Sequence, residues 1–182
     1  WVELPEITSP EIEVSLTEDA TFTALFEEIA PPPSPYVIHF WDFEGLMPLE
    51  PSQTFGGAGL VIDLGDDSEW LSNSASKGFL TNHLRLNSPL DAIVTLTLPT
   101  DGFEMIKLDF SGRRSGSGAG IETLSYTLNG VDWVEFDSIQ VENEAPKTET
   151  FDFSGISGVD DNPDFAVRIT FAEGEGGSSG NN

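Results

Sequence analysis

The stretch TLSYTLNGVDWVEF, Thr123–Phe136, reads as two extended runs around a tight Asn-Gly turn, the strongest short-range hairpin signal in the chain. Hairpin loop length sets register, and a slip of one residue turns every side chain to the other face. A two-residue loop, Asn129-Gly130, sets Tyr126 opposite Trp133 and Leu124 opposite Glu135, which leaves an acid on the apolar face. A three-residue loop, Leu128-Asn129-Gly130, gathers Leu124, Tyr126, Val134 and Phe136 on one face. Thr123, Ser125, Thr127, Val131 and Trp133 then share the other. The second register separates apolar from polar better and sets Trp133 among hydroxyls; the first buries it.

The surroundings of the hairpin repeat its pattern. Strand-like runs are expected near 36–43, 58–64, 80–87, 91–98, 103–111, 121–128, 131–137, 148–153 and 165–171, joined by Gly, Pro, Asp, Asn and Ser. No 12-residue window carries a helical apolar stripe. Many short strands without helices predict an all-β protein, an antiparallel β-sandwich of jelly-roll type, over residues 36–182.

Ahead of it, PPPSP at 31–35 marks a stiff proline-rich linker. Residues 1–30 carry eight acids and no base, with alternating runs around Thr17-Glu18-Asp19 that suggest a hairpin. A lone hairpin is marginal in water, so 1–30 is expected to be the end of a small β-repeat domain.

Composition narrows the function. The 182 residues hold 32 acids against 7 bases, a net charge of −25 that repels nucleic acid and anionic membranes. With no Cys, disulfides, thiolate metal sites and cysteine nucleophiles are excluded. No apolar run is long enough to span a membrane. His39 and His83 are the two histidines, and neither belongs to a His-Glu-x-x-His motif. No Gly-x-Ser-x-Gly elbow is present. The Gly-rich SGSGAG run (115–120) lacks the Lys-Ser/Thr of a phosphate loop and reads as a flexible loop.

Three candidate sites emerge. Trp133 and Trp70 offer aromatic planes for saccharide CH faces; Trp41, inside an apolar strand, reads as core. Arg113-Arg114 is the one tandem basic dipeptide, a positive spot suited to a uronate or sulfate group, or to ion pairs with neighbouring acids. Asn82, His83 and Arg85 supply further polar groups. Acidic loops at Asp63–Glu69 and Asp160–Asp164 are oxygen-rich but lack EF-hand spacing.

SYTLNGVDWVEF (125–136) resembles the Ser-x-Asp-Gly-x-x-Trp hairpin of galactose-binding-like and jelly-roll carbohydrate-binding modules of secreted bacterial enzymes. Thr127 stands where Ser is usual and Asn129 where Asp is usual. HFWDFEG (39–45) resembles their opening strand, and 151–182 resembles the region before their last strand, so the sandwich is expected to lack that strand. VSLTEDATFTALFEE (14–28) resembles the closing strands of internalin-type bacterial β-repeats. In such modules a structural calcium ties the opening to the closing strand, and the resemblance assigns Asp42 and Glu44 to it. It implies a non-catalytic module of a secreted or cell-surface bacterial multidomain protein, with a polysaccharide or surface glycan as partner. Neighbouring domains or a partner chain would meet it at an open sheet edge. A structural stalk domain and a β-sandwich lyase or hydrolase are the alternative expectations.

Overall fold

The computed structural model divides into two units, 1–35 and 36–182, and it describes residues 36–182 except Leu46 and Asp67. The expected β-repeat and linker lie outside the described residues. Among those described, the chain is all β, with one short 3-10 turn at Pro89–Asp91.

Eleven strands follow in chain order: β1 His39–Phe40, β2 Gln53–Thr54, β3 Gly59–Asp63, β4 Glu69–Asn73, β5 His83–Asn87 and β6 Ile93–Thr97. Then come β7 Lys107–Gly112, β8 Ile121–Thr127, β9 Val134–Gln140, β10 Lys147–Asp152 and β11 Ala166–Ala172. Five of them form one sheet in the order β3-β6-β11-β8-β9, and every pairing is antiparallel. The others pair as three two-stranded ribbons, β7-β10, β4-β5 and β1-β2.

Alternation decides what the large sheet buries. Val167 and Ile169 of β11 pair with Tyr126 and Leu124 of β8, and with Leu96 and Val94 of β6. Partners directly opposite share a face, so these six point to one side. There Leu124, Tyr126, Leu96, Val167 and Ile169 meet Phe151 of β10, Phe153, Val159 and Phe165, with Leu108 and Phe110 of β7 packed against the cluster. The aromatics interlock: Phe136 stacks on Phe153 at 4.3 Å, and Phe153 meets Phe165 edge-on at 5.3 Å. The antiparallel sandwich is thus built round phenylalanine. Trp41 also packs against this cluster and donates its indole N–H to the Leu49 carbonyl at 3.0 Å.

The hairpin adopts neither register expected of it. Tyr126 pairs with Val134, and six residues, 128–133, lie between the two strands. Asn129 sets this wider loop, since its Oδ1 accepts from the N–H groups of Val131 and Asp132, both at 2.9 Å. Its Nδ2 donates to Asp132 at 2.9 Å, while Gly130 takes the left-handed φ of 72° that the turn requires. A bulge follows: Ser125 pairs with Glu135 and Leu124 with Asp137, so Phe136 is the extra residue. The bulge keeps Phe136 on the core face, where Tyr126 meets it edge-on at 6.2 Å.

SGSGAG is no loose loop. Its backbone is bonded to the glycine-rich residues 173–181: Gly120 donates to the Glu173 carbonyl at 2.9 Å, and Gly177 and Gly180 donate to the Gly118 and Ser117 carbonyls at 2.8 Å each. A Cβ on Gly118 would stand 2.3 Å from the Asn181 carbonyl oxygen, and one on Gly176 would stand 2.1 Å from the Gly118 oxygen. Glycine is required here because two backbones touch.

Candidate functional site

Arg113 and Arg114 follow directly on β7, and neighbouring residues of extended chain point opposite ways. Arg114 turns inward and is only 9% exposed. It donates to the carbonyls of Val141 (2.6 Å), Ser115 and Gly116 (3.2 Å each), which makes it a clamp on the glycine-rich loop. Arg113 reaches the other way, donating to the Lys77 carbonyl at 3.1 Å and to Asn143 Oδ1 at 3.2 Å. The two halves of the dipeptide therefore do different work.

Between this loop and the β4-β5 ribbon lies a cleft of about 350 Å³. Lys77, Arg85, Arg113 and Arg114 line it, four of the seven bases in the chain. Asn73, Asn143, Asn181 and Asn182 supply amides, and Phe79 stacks on His83 at 4.4 Å. None of its fourteen lining residues is Asp or Glu, although the chain has 32 acids. Its arginines make no ion pair among the described residues; both ion pairs found there use lysines, Lys107–Asp152 and Lys147–Glu149. Burial pushes the His83 imidazole below its usual range, the Thr81 backbone partly offsets this, and the charges of Arg85 and Arg113 push the same way as burial. His83 Nδ1 is buried without a hydrogen-bond partner.

The floor of the cleft carries a backbone feature. Leu86 exchanges two hydrogen bonds with Asn182, at 2.7 and 2.9 Å, on the edge of β5 away from β4. Leu84, two residues back, aims its N–H and C=O to the same side. It lines the cleft, and neither group meets a described residue.

A second depression of about 320 Å³ lies near Val141 and Ala145 and includes Glu142, Glu149 and Lys147. The Lys147–Glu149 ion pair at its wall leaves it no free cation.

The remaining expected residues fall elsewhere. Trp70 pairs with Leu86 across the β4-β5 ribbon and shares its inward face; it does not line the cleft. Trp133 immediately precedes β9, at the end of that strand away from Val141. It is half-buried, and the Arg168 guanidinium lies over its ring, 4.7 Å from the centroid. Arg168 pairs with Ser125, so the indole belongs to the hydroxyl-bearing outer face of the large sheet, with one ring face already taken.

Asp42 accepts from the Glu44 N–H at 2.9 Å, a local turn contact, and a hydrogen bond from Ser52 is the main cause of its lowered pKa. Among the described residues no three His, Asp or Glu side chains gather as a metal site. In the loop 160–164, Asp160 and Asp161 accept from the N–H groups of Met105 (3.0 Å) and Gly102 (2.7 Å). Those carboxylates fasten a turn.

Lys77 and Arg168 were not singled out by sequence reasoning. Lys77 carried no pattern, and Arg168 sits in the apolar run AVRITF, where alternation signals only an outward residue. No protein-family model and no curated protein matches this chain.

Proposed function

We propose that residues 36–182 form a non-catalytic carbohydrate-binding module that takes an acidic glycan in the cleft between β5 and the 113–116 loop. The observation that carries this reading is charge placement. Four of seven bases converge on a cleft free of side-chain carboxylates, in a chain of net charge −25. A site for a neutral sugar has no use for such segregation, whereas a uronate or sulfate group does. The asparagines and Ser115 suit ring hydroxyls, and the Phe79–His83 stack offers an apolar wall. A cleft without Asp or Glu also offers no carboxylate pair for glycoside hydrolysis.

The reading places the module outside the cell, within a larger bacterial surface or secreted protein, with its strands in a jelly roll. Retardation in gels containing polygalacturonate or chondroitin sulfate tests it. The chain is expected to be retarded by one of these anionic polymers and not by neutral dextran, and Arg113→Gln should weaken binding on the order of tenfold, the loss of one charge-assisted bond. Equal mobility in every gel overturns the assignment.

A second reading is favoured by the free N–H and C=O of Leu84. In a structural stalk domain, an extended segment of another domain or chain would add to that edge as a strand. Protection of the Leu84 amide from hydrogen exchange in a larger assembly, without any glycan binding, would select this reading over the first.

A further inference from the structure

We propose that the outer face of the five-stranded sheet holds a second anion site, built on Arg168 and Trp133, which takes the carboxylate of an acidic saccharide. The proposal rests on the glycan-binding reading above, but its residues are separate from the cleft.

Arg168 lies in β11, the central strand, held in register by Thr95 on one side and Ser125 on the other. Its base is therefore among the most firmly placed in the sheet. Its guanidinium lies over Trp133 at 4.7 Å, a cation–π contact that restrains the group. Nε is buried and meets no acceptor. Nη1 and Nη2 make no hydrogen bond and no ion pair with any described residue.

This is unusual in a chain with 32 acids. Glu135 pairs with Ser125 on the same face, and Asp63 ends the β3 edge of that face, yet neither forms an ion pair with Arg168. A planar fork of donors, oriented by an indole and left without a partner, matches a carboxylate held by two parallel bonds. Half-buried Thr95 flanks it with a hydroxyl, of use to a saccharide carrying that carboxylate. In this arrangement Trp133 is a support for Arg168, and the sugar meets the arginine edge. That differs from a tryptophan platform, because one face of the ring is occupied by the guanidinium.

The four arginines give a direct readout. In the 182-residue chain labelled with 15N-arginine, the Nε–H signals of Arg85, Arg113, Arg114 and Arg168 are assigned by single Arg→Lys variants. They are then followed during titration with digalacturonate, with lactose and sodium chloride at matched ionic strength as controls. The expected result is a saturable shift of the Arg168 signal and of the Trp133 indole N–H, absent with both controls. Trp133→Leu should weaken that event about tenfold, the equivalent of one cation–π contact, and leave the Arg113 shift unchanged. Thermal melts establish that each variant is folded.

A stationary Arg168 signal with a moving Arg113 signal overturns this site and leaves the cleft reading standing. Movement of Arg168 alone supports this site and removes the cleft. Shifts reproduced by sodium chloride, or no shift at any arginine, overturn both.

Discussion

The two ends of the sandwich are made of different material. At one end Phe136, Phe153 and Phe165 interlock, and buried Thr100 ties the loops together by donating to the Val159 carbonyl at 2.6 Å. At the other, the 115–120 loop and residues 173–181 touch through bare backbone, held by peptide hydrogen bonds and the Arg114 clamp. The first end gains stability from apolar area. The second gains little area but exposes donors, acceptors and cations, and the cleft lies there. The aromatic packing and the cation-lined cleft thus lie apart along the strands.

The largest break in this comparison is expected from Phe153→Ala. It removes a fully buried ring at the centre of the aromatic stack, at a cost of roughly 3–5 kcal/mol. Urea unfolding measures it, and a loss below 1 kcal/mol would show that the aromatic end is not the stability source. Gly118→Ala attacks the other end. Its new methyl would meet the Asn181 carbonyl at 2.3 Å, a backbone neighbour that has little room to yield. Overpacking of this kind costs about 1–3 kcal/mol. Hydrogen exchange should quicken at 115–120 and 173–181 while the aromatic end stays protected. Uniform exchange would mean that the two ends unfold as one.

The smallest effect has the opposite sign. Glu122 is buried on the core face, accepts from Asn182 Nδ2 at 3.0 Å, and burial pushes its carboxyl above the usual range. A raised carboxyl pKa means that the folded state holds the proton more tightly than the unfolded one. Its cost therefore grows as pH rises from the unfolded value near 4.5 through the folded value, and is absent below that interval. Glu122→Gln should raise the melting temperature at pH 7 and leave it unchanged at pH 4. A lower melting temperature at pH 7 would show that Asn182 needs the full charge.

Much of this was legible in the residues. The nine expected strand segments all contain or overlap strands, because alternation and Gly/Asn/Pro punctuation are local signals. β2, only two residues long, and β4 were missed; Glu69-Trp70-Leu71-Ser72-Asn73 has no β-branched residue and gains its pairing from β5. The hairpin register was misread because it depends on hydrogen bonds of the Asn129 side chain and a bulge at Phe136, neither of which alternation encodes. Trp133 nonetheless stands on the outer face, by a route different from the one expected. Arg113 was visible as half of a basic pair. The convergence of Lys77, Arg85 and Arg113 was not, because it needs residues 36 apart in sequence brought into contact.

The alternation of β11 from Val167 to Thr170 bears on descent. Val167 and Ile169 answer to the core, whereas Arg168 and Thr170 answer to the outer surface. Mutations at 167 and 169 are filtered by folding, and those at 168 and 170 by whatever meets the outer face. Lineages of this domain can thus exchange the residues at 168 and 170 while keeping their neighbours, so the two sets should drift at separate rates.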